Sequence, residues 1–166
     1  EALEYHKKAL ENRHALYKDN GNHPDIANSL HNLGVVYSGF RQYEEALKYH
    51  EQALEMWQVV YTGNHPDIAN SLHNLGTIYF SLMQYEEALK YHKKALEMRK
   101  ALYPGNHSDI IASLDNVGTT YRKLGQHQEA LEYFKKALEM RKALYPGNHP
   151  DIASSLNNIG YIYLGS

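Results

Sequence analysis

The chain has 166 residues, with 17 Lys+Arg against 19 Asp+Glu, no Cys, 11 His, and 15 Tyr beside only 3 Phe and 1 Trp. A formal charge of −2 gives no basic field for nucleic acid and no polybasic membrane patch, and the lack of Cys excludes disulfides, thiolate catalysis and Cys-ligated metal. No 18-residue apolar run offers a membrane span; the polar opening Glu1-Ala2-Leu3-Glu4 is unlike a secretory leader, so the expected setting is cytoplasmic, and the missing initiator Met points to a piece of a longer protein.

In chain order, residues 1–18 read as a single helix, followed by the loop Lys18-Asp19-Asn20-Gly21. The segment Asn22-His23-Pro24-Asp25-Ile26-Ala27 then opens a pattern that returns at Asn64, Asn106 and Asn148, each time 42 residues on. Residues 22–63 and 64–105 agree at 29 of 42 positions. A fixed period of this size marks a solenoid, in which each unit stacks on the next.

Two helices are predicted in each unit. The first starts near Pro66, where proline suits the first helical position and Asp67 suits the positive helix end. Ile68, Leu72, Leu75 and Tyr79 make its apolar stripe, which fades at Ser81-Leu82-Met83-Gln84. The second runs from Tyr85 to about Tyr103, with Ala88, Leu89, His92, Ala95, Leu96 and Arg99 turned inward, and Pro104-Gly105 stops it. Short links make the pair an antiparallel hairpin. The expected organisation is therefore one all-α solenoid of eight helices: an orphan second helix and loop over 1–21, units at 22–63, 64–105 and 106–147, and an orphan first helix over 148–166. The opening loop is two residues longer than its counterpart Thr62-Gly63.

Leu30, Leu33, Gly34, Tyr37, Ala46 and Ala53 resemble the tetratricopeptide pattern. They are echoed by Leu72, Leu75, Gly76, Tyr79, Ala88 and Ala95, and by Leu114, Val117, Gly118, Tyr121, Ala130 and Ala137. The period is 42 rather than 34, and the aromatic usual in the second helix is His50 and His92, reverting at Phe134. The long unit with its Asn-His-Pro-Asp lead looks like the kinesin-light-chain subclass. The resemblance implies a right-handed superhelix whose first helices line a concave groove.

Catalysis has no support. No two His stand at i, i+3 or i+4 on one helix, as a local metal pair would, and no nucleophile elbow or phosphate-cradling glycine loop is present. No cofactor is expected. Fourteen of the 15 Tyr fall at repeat-locked positions, which makes them packing and junction residues.

By the same resemblance, the groove positions are Asn28, His31, Asn32, Val35, Asn70, His73, Asn74 and Thr77, then Asp115, Asn116, Thr119 and Arg122, and finally Asn157 and Asn158. Asn32, Asn74, Asn116 and Asn158 form a row, one per unit. An amide with two donors and an acceptor can pair with an extended peptide backbone whatever its side chains, as in the asparagine ladder of the O-GlcNAc transferase array. The row could instead fix repeat stacking. A carboxylate clamp for chaperone tails would need more cations than Arg122 and Lys123. The expected function is thus a protein-binding adaptor that takes an extended peptide. The alternative is a structural spacer, whose orphan end helices could complete a repeat between two molecules, head to tail.

Overall fold

A computed structural model describes residues 1–18 and 21–164. Asp19 and Asn20 of the lengthened loop, and Gly165 and Ser166 of the terminal segment, lie outside the described residues. Eight α-helices and no strands occur among those described: α1 (Ala2–Leu16), α2 (Pro24–Gly39), α3 (Tyr43–Val60), α4 (Pro66–Ser81), α5 (Tyr85–Leu102), α6 (Ser108–Lys123), α7 (His127–Leu144) and α8 (Pro150–Leu164). Among the described residues, substantial packing joins only consecutive helices, as a solenoid requires.

Each first helix begins in the same way. His23, His65, His107 and His149 stand in the capping position, and each ring Nδ1 accepts from the backbone N–H of the Asp two residues on, at 3.1–3.2 Å. This satisfies one of the free donors at the helix start, the task more often given to Ser, Thr, Asp or Asn. The Tyr that ends the preceding helix stacks on the capping ring: Tyr17 on His23, Tyr61 on His65, Tyr103 on His107 and Tyr145 on His149, with centroids 3.5–4.0 Å apart and planes within 11°. Four of the eleven His are thereby structural.

Within each hairpin the helices cross where a side chain is missing. A Cβ added to Gly76 would lie 2.3 Å from His92 Cδ2, and one added to Gly118 would lie 2.9 Å from Phe134 Cε1. The ring of the second helix fills the space that glycine leaves in the first, and Ala46, Ala88 and Ala130 let the backbones approach at the next turn. Nearer the hairpin's turn, Tyr37 stacks on Tyr49, Tyr79 on Tyr91 and Tyr121 on Tyr133, at 5.3–5.5 Å. The expected packing role of the tyrosines is met by these pairs.

The core is a string of clusters, not one centre. Ile26, Leu30, Trp57, Ile68 and Leu75 form one of them, and Ile110, Leu114, Val117 and Phe134 form another. The turn between the helices of each hairpin passes through a left-handed residue: Arg41 (φ 58°), Met83 (φ 59°) and Gly125 (φ 75°). Only the third unit uses the residue that adopts this conformation without strain.

Candidate groove on the first helices

The amphipathic pattern that buries Ile68, Leu72 and Leu75 leaves another face of each first helix uncovered. Asn28, Asn32, Val35, Asn70, Thr77 and Asn157 are exposed there, while His31, His73, Asn74, Asp115, Asn116, Thr119, Arg122 and Asn158 are half-buried.

Two recesses follow this face. The first, about 240 Å³, is lined by Val35, Ser38, Asn74, Thr77 and Ser81 from α2 and α4, with Tyr43 and His50 of α3 behind them. The second, about 70 Å³, lies between Thr77 and Phe80 of α4 and Asn116 and Thr119 of α6, with His92 at its back. Phe80, standing where the first unit has Ser38, occupies space there and packs edge-on to Tyr85 at 5.3 Å. Val35, Asn74, Thr77, Asn116 and Thr119 are thus brought together; Asn28, His31, Asn32, Asn70, His73, Asp115, Arg122, Asn157 and Asn158 line neither recess.

Several expected groove residues already have partners inside the chain. Arg99 of α5 donates to Asn70 Oδ1 at 3.0 Å, to Ser113 Oγ at 2.8 Å and to Asp109 O at 3.3 Å. Arg141 of α7 likewise binds Asp115 and Ser155. Arg13 of α1 bonds Asp25 O at 3.0 Å and also Ser29. Asn70 and Asp115 therefore belong to a clamp between successive hairpins, made by an Arg of one second helix and a Ser of the next first helix. Sequence reading placed Arg99 on the inner side but missed the clamp. Its signal was the shared recurrence of Arg13, Arg99 and Arg141 with Ser29, Ser113 and Ser155. In the remaining unit Trp57 takes the Arg position, and Ser71 Oγ is buried without a partner.

Four of the seven other His make a second feature that sequence spacing hid. His31 lies edge-on to His50 at 5.1 Å and 5.4 Å from Trp57, and His73 lies 6.0 Å from His92. The two His pairs are neighbours across helices, each 19 residues apart in sequence. Burial pushes His50 down to about 4, with His31 adding to the effect, and pushes His92 to about 4, with His73 and Arg99 adding to it. Burial also lowers His31 and His73. All four rings are neutral near pH 7, with no cationic imidazole facing the groove.

The tetratricopeptide repeat model matches four overlapping stretches, residues 1–56, 25–101, 67–143 and 109–166. The chain belongs to the tetratricopeptide repeat family. Among solved structures, it is similar to a kinesin-light-chain-type protein of Podosopora anserina with nearly identical TPR-like repeats, at 22% identity and a TM-score of 0.80, covering 98% of this chain and 82% of that one. It is similar also to BtubC (BKLC) of P. vanneervenii, at 21% identity and TM-score 0.79, covering 93% of this chain and 65% of that one. A Rap protein in complex with Competence and Sporulation Factor gives 21% identity and TM-score 0.72, over 98% of this chain and 43% of that one. No curated protein gives a match. The tetratricopeptide array is thus a helical solenoid with the fold of kinesin-light-chain-like repeats, a scaffold of the kind that serves protein interaction. No helix among its described residues is long and apolar enough to cross a membrane.

Proposed function

We propose that this tetratricopeptide array is a non-enzymatic, cytoplasmic adaptor module that holds an extended peptide along the face of its first helices, with the Asn row pairing to the peptide backbone. The observation that carries the reading is the row itself. Asn32, Asn74, Asn116 and Asn158 recur every 42 residues, and Asn74 and Asn116 each border a recess on that face. An extended segment offers a donor and an acceptor at every residue, so amides repeated along a groove can hold it without selecting its side chains. That a Rap protein of similar fold is known in complex with Competence and Sporulation Factor is consistent with ligand capture by such an array.

Asn32 and Asn74 give the cleaner test, because Asn116 is engaged within the chain. The double variant Asn32→Ala with Asn74→Ala should bind a partner of the wild-type array about ten-fold or more weakly, since each lost pair is worth roughly 0.5–1.5 kcal/mol. Its helical circular dichroism should not change. Equal affinity in the double variant would sink the proposal.

A second reading, head-to-tail contact between copies, has its own observation. Leu156 and Tyr163 of α8 are 52% and 62% exposed, whereas their equivalents Leu114 and Tyr121 are 3% and 8% exposed under α7. A Cβ added to Gly160 would meet nothing within 4 Å, unlike those at Gly34, Gly76 and Gly118. A helix of the α1 type, with Ala2 and Ala9 exposed at the other end of the array, carries the matching small residues.

A further inference from the structure

We infer that His73 is a positioning residue for the groove: by accepting a hydrogen bond from the side-chain amide of Asn116 it turns the amide oxygen toward the recess, and a proton on His73 reverses the amide. That this edge meets a peptide rests on the reading above; the orientation itself does not.

The hydrogen bonds assign each nitrogen in turn. Asn116 Nδ2 lies 3.3 Å from His73 Nδ1. An amide nitrogen can only donate, so Nδ1 of His73 is the bare nitrogen and the ring proton sits on Nε2. Thr120 Oγ1 donates its single proton to Asn116 O at 2.7 Å. His92 Nδ1 lies 3.1 Å from Thr120 Oγ1, whose proton is already given to Asn116 O, so His92 Nδ1 must be the donor in that contact. His92 therefore holds the opposite tautomer, with its bare Nε2 facing the space left by Gly76 and lacking a partner. Asn116 is tied on both sides, its backbone carbonyl to Thr120 and its side chain to His73. With one N–H spent on His73, the amide has Oδ1 and a second N–H left for the recess that it shares with Thr77, Phe80 and Thr119.

The charged and titratable groups acting on His73 come from α5 and, one hairpin on, from α6. His92 and Arg99 face it from α5, and Asp109 acts from α6. Burial and then Arg99 disfavour the imidazolium, while Asp109 favours it. Once His73 is protonated, Nδ1 becomes a donor and faces the amide N–H of Asn116, donor against donor. A half-turn of the amide brings Oδ1 onto Nδ1–H and presents both amide protons to the recess, changing a mixed edge into a donor edge. One unit earlier the arrangement is absent, since His31 Nδ1 is buried without a partner and its ring leans on His50 and Trp57.

The experiment needs no peptide. In the 15N-labelled chain at pH 7.5, the imidazole nitrogens should show His73 bare at Nδ1 and His92 protonated at Nδ1. The Asn116 amide should then shift in one step with His73 as the pH is lowered. In His73→Gln, whose Oε1 accepts at every pH, the Asn116 amide should keep its neutral-pH position throughout. In His73→Leu, with helical content intact, the Asn116 side-chain amide should already have left its wild-type position at pH 7.5. A protonated Nδ1 on His73 at pH 7.5, or an Asn116 amide indifferent to both substitutions, overturns the assignment. Because no peptide is added, either result stands whether or not the Asn32/Asn74 variant loses its partner.

Discussion

His50 and His92 occupy, in the first two units, the place that Phe134 takes in the third, each ring lying where a Cβ of the opposing glycine would be. The exchange is nearly neutral in shape but not in charge. Both His are nine-tenths buried or more, and both titrate near 4 in the folded chain, so they stay neutral well below the ordinary value of about 6.5. As the pH falls from about 6.5 to 4, the unfolded chain takes up protons that the folded chain refuses, and stability is lost across that window. Each ring should cost about 2 kcal/mol at pH 5 relative to pH 7.5. The double variant His50→Phe with His92→Phe should remove most of that dependence, read as urea unfolding free energy at the two pH values. A slope as steep in the variant as in the wild type would place the acid sensitivity elsewhere. At this scale the sequence pointed to loop capping and inward packing for the His but not to which ring meets which partner. His23 and His50 look alike in a count, yet one caps a helix and the other plugs a crossing, because the partner in each case lies on a different helix or turn.

Between hairpins, the Arg–Ser clamp shows how one helix pair grips the next. Ser113 Oγ accepts from Arg99 Nη1 at 2.8 Å in a buried contact and donates to Asp109 O at 2.9 Å at its partly buried edge. Removing it leaves a buried guanidinium short of one acceptor, so Ser113→Ala should cost about 1–2 kcal/mol. Ser71 holds the equivalent position beside Trp57, but its hydroxyl is fully buried and unpaired. Ser71→Ala should be neutral, or stabilising by up to about 1 kcal/mol, because only a desolvated polar group is lost. Urea unfolding of the two variants in parallel measures the contrast. Equal costs would mean that the clamp adds nothing beyond filling space. The helices themselves were legible in advance, since Pro66, Asp67 and the stripe Ile68, Leu72, Leu75 state a start and a face. The clamp was less so: Arg99 and Ser113 are separated by a turn, and no helical period relates residues on either side of it.

For the whole molecule, the 42-residue period made the architecture readable, because a unit that packs only on its neighbours leaves the same imprint each time. The same logic marks the ends as different. The face of α8 that carries Leu156, Gly160 and Tyr163 is the face that α7 covers on α6, and it is open in this chain. Supplying a covering helix is a direct test. A second-helix sequence copied from residues 125–144 and appended after Ser166 should pack on α8 as α7 packs on α6. Amide exchange in α8 should slow toward that of the interior helices, since local stability in a solenoid is set by the nearest interface. The same change separates the two functional readings. If copies associate head to tail through α8 and α1, light scattering over a concentration series should show the unmodified chain growing beyond a monomer and the capped chain remaining one. Because that contact uses different surfaces on the two partners, it need not close, and the unmodified chain should give a range of sizes and not a single dimer. A chain that stays monomeric at high concentration without the cap removes the head-to-tail reading and leaves the first-helix groove as the array's binding surface.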